Sequence, residues 1–284
     1  MNNYQLIAFD MDGTLLNSDK QISPETLNAI KRAGDAGKTV ILCTGRNLAE
    51  LNAFTEIIPG LRYLDCVSGA CVYDLKEKKT LYSQALDPGI VKKLMEFALE
   101  EEAMIHVLSE RSIVQRDQQS HMADFHMGIY QTMFDKITDK LENIYNSFCQ
   151  EPFPVLKLNL YHKDESSRAR TVERIKAAGL ETALAESTSL ECSAKGISKG
   201  VGLKKLCEHL GLPLEQTIAV GDADNDTMAL KTAGLSIAMG NATEPIKALA
   251  DVIVADCDHN GCAEAIDKYL LAENQPQKQV QERL

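Results

Sequence analysis

The sequence predicts an α/β protein whose parallel-sheet core is interrupted by an inserted α+β segment. Three observations carry this. The first 85 residues alternate short apolar strands with amphipathic helices, and roughly the last 90 resume the same rhythm. Between them, Val155, Lys157, Asn159 and Tyr161 alternate with Leu156, Leu158 and Leu160. That is the period-two pattern of antiparallel strands buried on one face.

The elements follow in order. Tyr4–Phe9 is an apolar run ending at a polar turn, the mark of a buried strand. Ser23-Pro24-Glu25 starts a helix, with serine as cap and proline at the first position, and Leu27, Ile30 and Ala33 on one face. Thr39–Cys43 and Tyr63–Val67 are strands flanking a helix over Leu48–Ile57. Strand, helix, strand at this spacing implies parallel pairing through right-handed crossovers. In the inserted segment, helices are expected at Val91–Glu101, Ile137–Phe148 and Glu165–Ala178, and strands at Met104–Leu108, Ser112–Gln115 and Val155–Tyr161. The turns Asp87-Pro88-Gly89 and Ala185–Ser189 mark its ends, giving a core of 1–85 and 189–284 and an insertion of 86–188. After it come helices at Lys199–Leu210, Asn225–Thr232, Glu244–Leu249 and Ala263–Leu271, with strands at Thr217–Val220, Leu235–Ala238 and Val252–Val254. The Gln- and Glu-rich stretch after Ala272 is expected to fray.

Composition excludes several function classes. Thirty basic against 41 acidic side chains leave a net charge of −11, a poor balance for gripping a nucleic-acid backbone. No apolar run reaches the ~18 residues that would span a bilayer. The chain enters its first strand without a basic region or cleavage site, so export is not expected and a cytoplasmic location is. The eight cysteines include no C-x-x-C pair and suit reduced, structural thiols. A monomer or a homodimer is equally compatible with the sequence.

The chemistry-bearing residues stand at strand ends. Asp10-Met11-Asp12-Gly13-Thr14 follows the first strand, and residues two apart in an extended chain point to one side, so Asp10 and Asp12 can converge. Gly221-Asp222-Ala223-Asp224-Asn225-Asp226 follows Thr217–Val220 and imitates the start of a calcium loop. The sixth and twelfth positions of such a loop, Gly and Glu, are Thr227 and Ala233, so that reading fails. A few carboxylates at a strand end suit Mg²⁺ instead. Thr44-Gly45-Arg46 ends the second strand with a hydroxyl and an exposed amide, a small phosphate cradle or a plain turn. Lys199 opens a helix, where the dipole favours an anion beside it. Gly37-Lys38-Thr39 lacks the upstream glycine of a P-loop, and the five-residue spacing of His121 and His126 does not align them for a metal. Together the motifs supply carboxylates, a metal site, an anion cradle and a cation, an inventory for phosphoryl chemistry.

With these motifs in this order, the sequence resembles the haloacid dehalogenase-like superfamily, in its Cof-type branch with a type IIB cap. The resemblance spans the whole chain. Asp10–Thr14 stands for the first motif, Thr44-Gly45-Arg46 for the second, Lys199 for the third, and Gly221-Asp222 with Asn225-Asp226 for the fourth. Ser68-Gly69-Ala70 departs from the branch's usual Asn-Gly-Ala. The resemblance implies a Rossmann-like core with a cap domain, and a Mg²⁺-dependent phosphatase acting on a small phosphorylated metabolite. It implies Asp10 as nucleophile and Asp12 as acid and base. Met11, Thr44, Gly45, Lys199 and Asn225 would hold phosphate, and Asp10, Asp222 and the Asp12 main-chain carbonyl would hold the metal. Asp226 would orient Lys199 or a metal-bound water. A sugar phosphomutase using the same intermediate and a non-catalytic phosphometabolite sensor are the alternatives.

Overall fold

The computed structural model describes residues 4–184 and 188–272. The chain forms two compact units. The first comprises the described residues within Met1–Gly45, Ala53–Tyr82 and Ser198–Leu284; the second comprises Arg46–Asn52 and those within Ser83–Ile197.

In sequence order, the chain opens with β1 (Leu6–Phe9), α1 (Pro24–Asp35), β2 (Thr39–Cys43), α2 (Leu48–Thr55), β3 (Tyr63–Cys66), β4 (Cys71–Asp74) and β5 (Lys79–Ser83), all in the first unit except the larger part of α2 and the last residue of β5. The Ser23 side chain accepts from the Thr26 amide and caps α1, as the sequence indicates. The buried face of α1 is Thr26, Ala29, Ile30 and Ala33, leaving Leu27 half-buried rather than central. The β4–β5 hairpin was not expected. It follows a turn in which Val67, Ser68 and Gly69 all have positive φ, a conformation that apolar patterning does not reveal.

The second unit holds α3 (Pro88–Glu100), β6 (Met104–Leu108), β7 (Ser112–Gln115), α4 (Arg116–Gln119), α5 (Gln131–Ile137), β8 (Thr138–Leu141), α6 (Ile144–Gln150), β9 (Lys157–Tyr161), α7 (Glu165–Ile175), β10 (Glu181–Ala183) and β11 (Ser189–Ser193). Asp87-Pro88-Gly89 is a helix start rather than a free turn: the Asp87 carboxylate accepts from the Gly89 and Ile90 amides. The helix expected over Ile137–Phe148 is divided, because Thr138–Leu141 pairs in parallel with β7 and Asn143 caps a new helix at Ile144. Of the expected turn Ala185–Ser189, residues 185–187 lie outside the described residues, and Ser189 already belongs to β11. That strand pairs with β9, so the second unit extends to Ile197 instead of residue 188. The stretch expected to fray lies outside the described residues beyond Ala272.

The chain resumes the first unit with α8 (Lys199–Leu210), β12 (Thr217–Gly221), α9 (Thr227–Thr232), β13 (Leu235–Ala238), α10 (Glu244–Leu249), β14 (Val252–Ile253) and α11 (Gly261–Ala265). Its sheet has the order β14-β13-β12-β1-β2-β3-β4-β5. Pairing is parallel from β14 through β3, and β4 runs antiparallel to β3. β1 therefore lies between β2 and β12, where the strand order switches direction. Open α/β sheets bind ligands outside the carboxyl ends of strands at such a point.

The second sheet runs β10-β11-β9-β6-β7-β8. One-sided burial was expected of β9, yet all five of its residues are buried. Its Leu158 and Leu160 are apolar on one face. On the other, Met104 and Tyr161 pack with Met122, Phe125, Met127 and Phe134 from the 116–137 segment. Lys157 survives burial by pairing with Glu191 at 2.9 Å. The eight cysteines are free thiols, and no helix among the described residues is long and apolar enough to cross a membrane.

Candidate active site

Asp10 leaves the carboxyl end of β1 and is 6% exposed. Its amide donates to the Val220 carbonyl of β12 at 3.0 Å, so the first motif is pinned to the neighbouring strand. The chain then curls tightly: Thr14 and Leu16 amides donate to the Met11 carbonyl, and Leu15 to that of Asp10. Gly13 has φ +82, and a Cβ there would lie 2.5 Å from Asp222 Oδ2. Thr14 Oγ1 donates to Asp222 Oδ1 at 2.8 Å, joining the loop after β1 to the loop after β12.

Lys199 is buried at the first turn of α8, which Ser198 caps by accepting from the Val201 amide. Its Nζ donates to Asp10 Oδ1 at 2.5 Å and to Asp226 Oδ1 at 2.7 Å. The other oxygen of Asp226 accepts from the Asp222 and Ala223 amides at 2.9 and 3.1 Å. Asp226 thus braces the loop and the lysine together. Asp10, Asp222 and Asp226 each present an oxygen within 4.8 Å of the others.

Crowding of charge governs ionisation here. Burial, with the Asp226 charge adding to it, pushes the Asp10 carboxyl above the usual range, and Lys199 only partly offsets this. Burial also raises Asp222, against the Thr14 hydrogen bond. Burial would lower Lys199, but Asp10 and Asp226 outweigh it and keep the ammonium charged. Such clusters of perturbed groups at a sheet switch point are candidates for catalysis.

The remaining sequence candidates are placed unequally. Met11 and Thr44 are buried; the Thr44 amide donates to the Asp65 carbonyl at 2.8 Å, and its carbonyl accepts from Ser68. Gly45 follows directly in the same unit. Asn225 is exposed on the turn preceding α9. The Asp12 side chain is outside the carboxylate group and pairs with Lys20 at 3.0 Å. His121 and His126 turn to the carbonyls of Asp117 and Lys163. Sequence reasoning missed three supports: Thr14 on Asp222, Lys20 on Asp12, and Asn241, whose Nδ2 donates to the Gly13 carbonyl at 2.7 Å. Only Thr14 carried a signal, a hydroxyl at a strand-end turn.

The family model for haloacid dehalogenase-like hydrolases matches residues 7–266. The chain belongs to this family. A curated relative, the 5-amino-6-(5-phospho-D-ribitylamino)uracil phosphatase YcsE of Bacillus subtilis, is 30% identical, with 94% of this chain and 96% of the relative covered. Among solved structures, a haloacid dehalogenase-like hydrolase from Bacteroides thetaiotaomicron has a TM-score of 0.79 at 27% identity, covering 93% of this chain and 98% of that one. The subclass IIB sugar phosphatase BT4131 has a TM-score of 0.77 at 22% identity over 93% and 98% of the two chains, a likeness of fold. This haloacid dehalogenase-like hydrolase therefore has a parallel-sheet core unit and a second, α+β unit.

Proposed function

We propose that the protein is a Mg²⁺-dependent phosphatase of a small phosphorylated metabolite, a sugar phosphate or a phosphorylated cofactor, working through an aspartyl-phosphate on Asp10. The observation that supports this most is the buried Lys199 ammonium held between Asp10 and Asp226 with Asp222 alongside. The donor set fits a hard divalent cation: carboxylate oxygens close together, beside a turn whose Gly13 leaves room that a Cβ would take. Asp10, Asp222 and the Asp12 main-chain carbonyl would hold it. When bound, it supplies charge neutralisation that lets a carboxylate approach a phosphate dianion.

The chain's own residues account for the rest. The Asp10 carboxylate attacks phosphorus in line, forming an acyl phosphate as the ester oxygen leaves. Asp12 gives that oxygen a proton and later takes one from the water that hydrolyses the intermediate. Its pairing with Lys20 joins two exposed side chains and is worth ~1 kcal/mol or less, so Asp12 can swing to the substrate cheaply. Lys199 cancels charge on the phosphoryl oxygens, while the Met11 amide, Thr44, Gly45 and Asn225 hold them. Asp226 keeps Lys199 charged and in place. The inserted unit selects the leaving group.

An assay of the purified protein against para-nitrophenyl phosphate and a panel of phosphorylated metabolites tests this. Turnover is expected with Mg²⁺, loss with chelator, recovery on adding Mg²⁺ back, and inhibition by Ca²⁺, whose longer bonds and larger ligand number disturb in-line geometry. Full activity in excess chelator, with no metal by elemental analysis, would reject the metal site.

A further inference from the structure

Four aspartates of the first unit are buried. Asp10 and Asp226 face Lys199, and Asp74 binds Arg62 and two backbone amides. Asp65 is different. It sits on β3 with no exposure, and its Oδ1 makes no hydrogen bond of normal geometry, although the Leu203 amide of α8 lies beside the carboxyl. Desolvating an oxygen in that way is costly, so a reason is needed for an acid in this strand.

Its surroundings supply one. Asp65 Oδ2 lies 2.9 Å from the Cys43 thiol on β2, and that thiol lies 3.8 Å from the backbone carbonyl of Lys199. The first turn of α8 rests directly on the carboxyl: a Cβ on Gly202 would fall 1.9 Å from Asp65 Oδ1. The turn between β3 and β4 presses on the residue before Lys199 just as closely, since a Cβ on Gly69 would fall 1.9 Å from the Ser198 carbonyl oxygen. A thiol has a single proton. When Cys43 donates to the Lys199 carbonyl, its contact with Asp65 is bonding only if the carboxyl carries a proton and donates to sulfur. Burial, opposed by the Cys43 contact, the Lys199 charge and the Leu203 amide, pushes the Asp65 carboxyl up to about 8, and burial pushes the Cys43 thiol up as well.

We propose that Asp65 is a positioning residue for Lys199: its carboxyl O–H donates to Cys43 Sγ, the Cys43 S–H donates to the Lys199 carbonyl, and this chain fixes the turn of α8 from which the ammonium reaches Asp10. The inference rests on the phosphatase reading for its kinetic consequence, but not for its geometry. Asp10 and Asp226 hold the Lys199 ammonium, and the position of its backbone decides how well the side chain reaches them. The backbone of Asp65 contributes on the other side, accepting the Thr44 amide. One residue thereby couples the second motif to the third.

A packing role and a positioning role make opposite forecasts for Asp65→Val. Valine suits a buried strand and removes the buried carboxyl, so a packing residue would give equal or higher Tm and unchanged kcat. Positioning predicts an unlowered Tm with kcat down by about tenfold or more and KM within about twofold, since small misplacements of a reacting group are expensive. Asp65→Asn retains a donor to sulfur and is expected to restore kcat to within about threefold of the parent. Cys43→Ala should lower kcat as Asp65→Val does, and the double variant should lose little more, because the two act as one unit. Unchanged kcat in Asp65→Val, or equal loss in Asp65→Asn, would overturn the proposal. If Asp65→Val does not fold, Cys43→Ala decides alone, and its parental kcat would count against it. Parental turnover of para-nitrophenyl phosphate tests the phosphatase reading separately. Should the parent prove inactive, crystal structures of the parent and of Cys43→Ala still decide: displacement of Lys199 Nζ from Asp10 supports the proposal, and an unmoved Lys199 refutes it.

Discussion

A lysine in the first turn of a helix meets the positive end of the dipole and is ordinarily disfavoured. Lys199 stands there fully buried, which is tolerable because two carboxylates contact its ammonium. The same two contacts explain why Asp226, whose sequence position resembled a calcium loop, serves the lysine. Asp12 points elsewhere, and its role can be separated from that of the metal ligands. Asp12→Asn should reduce turnover of alkyl phosphates by two to three orders of magnitude, roughly the range for general acid catalysis, and that of para-nitrophenyl phosphate far less. A nitrophenolate leaves without a proton; an alkoxide does not. Comparison of kcat/KM on both substrates checks this, and equal losses would indicate a damaged metal site instead.

At the scale of elements, the β3–β4 pair has an electrostatic clasp. Arg62 binds Asp74 through Nε and Nη2, and Asp74 Oδ1 also accepts the Lys76 and Glu77 amides. The Arg62 hydrogen bonds hold the Asp74 carboxyl below its ordinary range. A carboxylate lowered in the folded state stabilises above its unfolded value, roughly pH 4, and that contribution disappears as pH falls through the folded value. Asp74→Ala should therefore cost about 2–3 kcal/mol at neutral pH. Urea titrations should show the gap between parent and variant narrowing below about pH 4. A gap independent of pH would assign the effect to packing.

The elements also show what a sequence reveals. β1, β2 and β12 were legible because each is an apolar run ended by a motif, and the site at their carboxyl ends followed from the parallel pairing. Ser23 announced α1 for the same local reason. What stayed hidden depends on distant partners. Thr138–Leu141 has no strand character of its own and becomes β8 only by pairing with β7. Ser189–Ser193 was cut from the insertion because its partner lies about thirty residues earlier. Asp65 carried no signal within the strand Tyr63–Val67, since its thiol partner on β2 and the helix above it are brought there by the fold.

For the whole molecule, every residue assigned to the chemical step lies in the first unit, while Ser83–Ile197 forms a second with its own sheet. Compact units within one chain commonly divide labour between chemistry and selection. Replacing the insertion by that of a relative with other preferences should reorder kcat/KM among phosphorylated metabolites while Mg²⁺ dependence and the need for Asp10 persist. A folded chimera with the original ranking would place selectivity in the first unit.

The central claim is that Asp10 becomes phosphorylated. Rapid acid quench during turnover, followed by mass spectrometry of the peptide containing Asp10, addresses it directly. The account predicts a phosphoryl group on Asp10 that appears within the first turnover, decays as substrate is exhausted, and is absent from Asp10→Asn, whose turnover falls by several orders of magnitude. An Asp10 that stays unmodified while the enzyme turns over, or a folded Asp10→Asn variant with near-parental activity, would contradict it.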